Sequence, residues 1–190
     1  NGFKALRPDN DFSPASFVEQ RTRLYFNYQK EKLILHISLQ DIRIWGNHNQ
    51  IYKTDNNALT NVYEGYALYN FTKNWWFKVG RQKISYDTQR FLGGLDWAQQ
   101  ARSHDAFMVR WIDNGWKADV GFAINNSGTE PVYLQNAFYG LNNYKNMQFA
   151  HVTKKYENSK FGLVIQNDGR QAAVDSSLNY RQTFGLTGDG

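Results

Sequence analysis

Residues 80–105 read GRQKISYDTQRFLGGLDWAQQARSHD. The segment leaves one strand-like stretch, Trp75 to Ser85, and enters another, Asp105 to Trp111. It carries Arg81, Lys83, Asp87, Arg90, Asp96, Trp97, Arg102, His104 and Asp105. A plain hairpin tip has no use for so many charged and hydrogen-bonding groups, and loops longer than about 12–15 residues in a compact fold are usually functional. The stretch reads as a loop folding inward between two transmembrane β-strands.

The flanking sequence supplies such strands. In Trp116 to Asn125, Trp116, Ala118, Val120, Phe122 and Ile124 alternate with Lys117, Asp119, Gly121, Ala123 and Asn125. Side chains of a strand point alternately to its two faces, so apolar and polar groups separate. Phe17 to Tyr28 puts Val18, Thr22, Leu24, Phe26 and Tyr28 on one face, and Glu19, Arg21 and Arg23 on the other. Leu33, Leu35, Ile37 and Leu39 continue the pattern, but Ile42 and Ile44 fall out of phase, which predicts a bulge near Gln40. Further strands are expected over Leu59 to Phe71, with Glu64 opposite Tyr63, and over Met147 to Tyr156, Phe161 to Gln166 and Tyr180 to Leu186.

The connections alternate short and long. Residues 29–32, 72–74, 113–115 and 157–160 are short; 46–58, 86–104 and 126–146 are long. Outer-membrane barrels have short periplasmic turns and longer outer loops, with strands apolar only at every second residue. Rings or large apolar groups flank each short turn, as in an interfacial aromatic girdle: Tyr28 and Leu33, Phe71 and Trp75, Trp111 and Trp116, Tyr156 and Phe161. Aromatics make up 16% of the chain, which suits two such belts. No apolar run is long enough for a membrane helix. The expected fold is therefore an all-β, antiparallel transmembrane β-barrel of the outer-membrane porin type. The chain reads as one barrel domain, with residues 1–16 a loop and 17–188 hairpins; its nine strands amount to about half of a large barrel.

Charge sets the functional reading. The formal net charge is +5, which favours anionic partners. Arg21, Arg23 and Arg110 project opposite the apolar face, as do Lys78, Lys117 and Glu64, so in a barrel they line the lumen. Arg43, Arg81 and Lys83 lie nearer the outer rim. Strict alternation would put Arg81 with Phe77 and Val79 toward lipid, so a bulge at Gly80 is expected to turn it inward. Guanidinium forks match carboxylates with two parallel hydrogen bonds. Asp105, Glu64 and other acids among the arginines would hold them in place.

Other chemistries fit poorly. There are no cysteines, so no disulfide, thiol nucleophile or cysteine-bound metal can form. The adjacent Ser103, His104 and Asp105 cannot stack as nucleophile, base and orienter. His36, His48, His104 and His151 lack ligand spacing. Rings and basic groups fall on opposite strand faces, unlike a nucleic-acid stacking platform. No enzyme activity, cofactor or nucleic-acid partner is expected.

Gly80-Arg81-Gln82, Arg90-Phe91-Leu92-Gly93 and the run Leu95 to Ala106 (LDWAQQARSHDA) resemble the alginate-export family of outer-membrane porins, particularly its Bacteroidetes-type forms. QRTRL at 20–24 and LQDIRIWG at 39–46 support the resemblance, and QTFG at 182–185 does so more weakly. It implies a monomeric barrel of about eighteen strands, with an arginine-rich lumen that passes an anionic uronate polymer. Strands before Phe3 and after Gly188 would then belong to a longer protein of which this chain is a fragment. The reading that follows is an outer-membrane channel for anionic small molecules or acidic oligosaccharides. Its lining would include Arg21, Arg23, Arg43, Glu64, Arg81, Lys83, Arg90, Arg102, Asp105 and Arg110, and its partners would be membrane lipid and the solute. The alternatives are a structural barrel subunit of an envelope complex and a soluble carbohydrate-binding β-sandwich.

Overall fold

The computed structural model describes residues 17–46, 60–125, 143–171 and 177–190. The loop expected at 1–16 lies outside them, as do most of 46–58 and 126–146.

The described strands are β1 (Glu19–Lys30), β2 (Leu33–Ile44), β3 (Thr60–Asn70), β4 (Trp75–Gln82), β5 (His104–Asp113), β6 (Trp116–Ile124), β7 (Asn146–Lys155), β8 (Lys160–Gln171) and β9 (Leu178–Asp189). They form a single sheet in chain order. Every neighbouring pair is antiparallel, so the four short turns lie at one edge and the ends of the four long connections at the other. The Asn114–Gly115 turn is as tight as its sequence suggests. Both residues adopt positive φ, 42° and 75°, as a two-residue hairpin turn matching strand twist requires. The nine described strands make one sheet, the arrangement of a partial barrel and not the two packed sheets of a β-sandwich.

The sheet has two unlike faces. On β6, Val120, Phe122 and Ile124 are 58%, 43% and 57% exposed, while Asp119 and Ala123 are fully buried. Register carries the apolar face sideways: Phe77 pairs with Val109 and Val109 with Val120, and Val79, Phe107 and Phe122 line up in the same way. Leu24, Phe26, Leu35 and Ile37 extend it over β1 and β2, and Phe184 and Leu186 over β9, all exposed. An open apolar surface of this breadth is far larger than water-soluble monomers leave uncovered. It suits lipid.

Both borders of this apolar band are marked. At the short-turn edge rings meet across strands: Tyr69–Phe77 at 5.4 Å, Phe71–Trp75 at 6.4 Å, Trp75–Trp111 at 6.5 Å and Tyr156–Phe161 at 6.1 Å. This is the aromatic girdle expected from the sequence. At the opposite edge the same face turns polar. Arg43 makes a bidentate bond to Asp41, both contacts 2.7 Å, and Arg81 reaches Asp105 at 3.1 Å. Asn167 donates to Gln148 at 2.6 Å while accepting from Gln182 at 2.9 Å, an amide ladder across three strands.

Three strand-level expectations are corrected. The phase slip expected near Gln40 is not in β2, which runs against β1 without interruption from Leu33 to Ile44. The irregularity is in β3, where Ser38 pairs with Glu64 but Leu39 with Val62, leaving Tyr63 as the extra residue. A bulge puts two consecutive side chains on one face, so Tyr63 joins Glu64 on the polar side and is only 4% exposed. The bulge expected at Gly80 is absent, although Arg81 and Asp105 still border the cleft beside Arg102 and His104. Tyr66 pairs with Gly80 and Gly80 with Ala106, then Gly65 with Arg81 and Arg81 with Asp105, with no shift on either side. By position Arg81 shares the face of Val79, and it is accommodated because it sits in the polar border with Asp105. Finally, β8 and β9 each extend beyond the ranges read from sequence, because Asn167, Asp168 and Arg170 look like loop residues but continue the ladder.

Candidate functional site: a clasped loop on the polar face

Between β4 and β5 the chain leaves the sheet edge and lies across the polar face. One half is clasped to β1 and β2. Arg21 donates from one guanidinium nitrogen to the carbonyls of Asp96, Ala98 and Gln99 at 3.2, 3.1 and 3.3 Å. Gln40 donates to the carbonyl of Gln100 at 3.0 Å, and Gln99 to that of Arg43 at 2.9 Å. Lys83 pairs with Asp96, and the Lys83 amide donates to Glu64 at 2.8 Å. The Asp96 carboxyl is held below its ordinary range chiefly by the Lys83 bond; burial opposes this, and the charges of Lys83, Arg23 and Arg21 add to the lowering.

The other half is fixed to β7 and β8. Asp87 takes His151 Nε2 at 2.8 Å on one oxygen and Lys160 Nζ at 3.1 Å on the other. Burial by itself would raise the Asp87 carboxyl, but the bonds from His151 and Lys160 outweigh it and the net shift is downward. Tyr86 stacks on the His151 ring at 4.1 Å, and its hydroxyl, raised by burial, donates to Met108 Sδ at 3.3 Å. Ile84 and Leu92 enter an apolar cluster with Ala106, Met108, Ala123, Met147, Phe149 and Val164. Gly185 on β9 leaves room for Phe91, since a Cβ there would lie 2.5 Å from that ring. Asp87, Gln89, Leu95 and Ala101 all hold positive φ, 46°, 60°, 49° and 55°. Non-glycine residues rarely adopt this conformation unless their surroundings impose it, and such clusters gather at functional segments.

The arginines expected as a filter thus divide. Arg21 is a loop clasp. Arg23 donates to Gln40 at 2.7 Å and lies 3.7 Å from the centre of the Tyr63 ring. Arg110 is bound bidentately to the fully buried Asp119 at 2.6 and 2.8 Å, and Lys117 approaches the same carboxylate at 3.7 Å. Glu64 and Lys83 serve as loop anchors. Arg43 shares the face of the apolar band, away from the loop's polar surface. Arg90 is exposed on the loop beside Asp87 and Lys160.

Arg102 stands apart. Its guanidinium has no hydrogen-bond or ion-pair partner among the described residues, and it borders a cleft of about 280 Å³ between the loop and the upper ends of β5 to β9. Across that cleft lie Arg170 and Arg181, which share one buried carboxylate, Asp168, at 2.6 and 3.2 Å. Sequence reading missed these three residues. The spacing of Gln166, Asp168 and Arg170 was the available signal, since i, i+2 and i+4 share a strand face.

A single sheet with one lipid-suited face and one charged face crossed by a pinned loop defines a porin-type membrane protein. A family model for alginate export matches residues 15–169. The chain belongs to the alginate export family, a transport family with a porin-type role, and the resemblance read from the loop motifs is borne out. A search of curated proteins finds no match.

Proposed function

We propose that this chain forms part of the wall of an outer-membrane channel through which anionic solutes pass without covalent chemistry. The observation that supports the reading best is the inward loop, fastened to β1 and β2 at one end and to β7 and β8 at the other. It narrows the passage beside the polar face and presents Arg90 and Arg102 from the loop itself. Arginine and lysine groups around a constriction favour anions. The solute reaches the constriction from the polar rim, exchanges part of its hydration for guanidinium contacts, and leaves by its concentration gradient.

The test is the reversal potential of the complete protein in a planar bilayer under a KCl gradient. Anion preference is expected at low salt, shrinking as the Debye length falls to about 3 Å near 1 M. A cation-preferring channel would overturn the reading.

A further inference from the structure

The apolar face is not evenly filled. A groove of about 480 Å³ opens on it between Phe107 and Phe122 on one side and Ile165 on the other, with Ala150 at its floor and Gln148 and Asn167 at its upper end. We infer that the groove holds one acyl chain of an outer-leaflet glycolipid, whose sugar hydroxyls bond the amides above it.

Side-chain size along the register makes the groove. Val120 pairs with Ala150 and Ala150 with Ile165, so a single methyl lies between larger groups on both neighbouring strands. The next position toward the short-turn edge pairs Ala118 with Val152, also short. The rims stand about two strand spacings apart, roughly 10 Å centre to centre. That admits a file of methylenes but not a helix, which is about 10–12 Å wide with its side chains.

The amides above the groove point to the rest of the lipid. Gln182 Nε2 donates to Asn167 Oδ1 at 2.9 Å, Asn167 Nδ2 to Gln148 Oε1 at 2.6 Å, and Gln148 Nε2 to Asn146 Oδ1 at 3.0 Å. Every bond runs the same way along the row. Each donor spends one of its two N–H groups, and the other has no partner among the described residues. The row shares the lipid-facing side of the sheet, where an unpaired amide N–H is costly. It also lies at the edge where the long connections emerge, the outer side of an outer-membrane barrel. A hydroxyl-bearing headgroup above an acyl chain supplies acceptors at that height.

Charge separates a sugar head from a phosphate. A phosphate calls for free guanidinium or ammonium groups. The arginines on this face each lie against their own carboxylate, Arg43 with Asp41 and Arg81 with Asp105. None of the residues lining the groove is charged. Neutral amides suit hydroxyls.

The experiment is native mass spectrometry of the complete protein in detergent micelles, titrated with three lipids of identical dioleoyl chains: monoglucosyl diacylglycerol, phosphatidylglycerol and phosphatidylethanolamine. One saturable glucolipid adduct is expected, with both phospholipids at least about fivefold weaker, the worth of a neutral hydrogen bond. Ala150→Trp fills the floor and should abolish the adduct. Gln148→Leu with Asn167→Leu keeps the groove, removes the amides and should weaken the glucolipid about tenfold toward the phospholipid level. Leu35→Trp, on the same face but away from the groove, should change nothing. All these side chains face lipid, so folding is expected to survive, and the heat-modifiable band on cold electrophoresis checks it. Equal adducts from the three lipids, no stable adduct, or an adduct kept by Ala150→Trp or unweakened by the paired leucine variant would each overturn the inference. So would a mass of two protein copies that Ala150→Trp abolishes, since the groove would then be a contact between copies. Ion preference in the bilayer is independent of all these outcomes, so the channel reading and the lipid site stand or fall separately.

Discussion

Asp87 Oδ2 and His151 Nε2 meet at 2.8 Å although the two residues are 64 positions apart. The contact ties the first part of the loop to the wall strand it crosses, with Lys160 on the second carboxylate oxygen and Tyr86 stacked on the imidazole. The depressed Asp87 carboxyl makes the tie pH-dependent in one direction. A lowered folded-state value means stabilisation present above the ordinary aspartate value of about 3.9 and lost as pH falls through the folded one. Because the chain has no cysteine, a spin label on Thr88→Cys reports the loop alone. Its spectrum is expected to stay immobile from pH 8 to about 5 and to sharpen only in stronger acid. Adding Asp87→Asn should give the mobile spectrum at pH 7; a label equally immobile in that variant would show that the tie is dispensable.

Arg21 should act on the passage through the loop and not through its own charge. Its guanidinium meets three loop carbonyls. Arg21→Gln should therefore raise single-channel conductance and current noise, with a smaller effect on ion preference. A change confined to the reversal potential would show Arg21 to be a filter group instead.

Arg110 is expected to matter for stability. Asp119 is fully buried, and removing its bidentate partner leaves the carboxylate with Lys117 at 3.7 Å and the neighbouring Tyr86 hydroxyl as weaker partners among the described residues. Breaking buried pairs costs roughly 3–5 kcal/mol; partial exposure of Arg110 puts Arg110→Gln toward the low end. Urea unfolding from micelles should show this, and Arg110→Met with Asp119→Leu should recover much of the loss. An Arg110→Gln midpoint equal to wild type would contradict the structural assignment.

Gly80 tolerates no side chain. Its φ is 120°, and a Cβ would lie 2.3 Å from the Gly65 carbonyl oxygen on the neighbouring strand. Gly80→Ala should lower the yield of folded protein severalfold, read as the heat-modifiable band on cold electrophoresis. Normal folding of that variant would mean that β3 and β4 separate there easily.

These assignments also show where sequence reading stops. Alternation along β6 reveals both faces because Val120, Phe122 and Ile124 must be apolar where lipid meets them, while Lys117 and Asp119 cannot be placed there. The same rule fails where that constraint lapses. At the polar border Asn167 and Gln182 satisfy one another across strands, so a genuine strand resembles a loop. Alternation puts Tyr63 on the wrong face, because a bulge shifts phase without any local sequence mark. Alternation alone does not reveal the polar border, where Arg43 beside Asp41 and Arg81 beside Asp105 are no longer costly. The loop's inward fold was legible from its length and polarity, but its partners were not. Nothing in the local sequence links Arg21 to the carbonyls of Asp96 to Gln99, or Asp87 to His151.

A span fixed at both abutments deforms differently from a flap on one hinge. With Asp96 to Gln100 held by β1 and β2 and Asp87 by β7 and β8, the intervening residues can bow but cannot swing clear. Aperture changes in the intact protein are then small and graded, and fluctuate quickly around one mean width. Cutting either attachment turns the span into a cantilever, and only then do two well-separated widths become available.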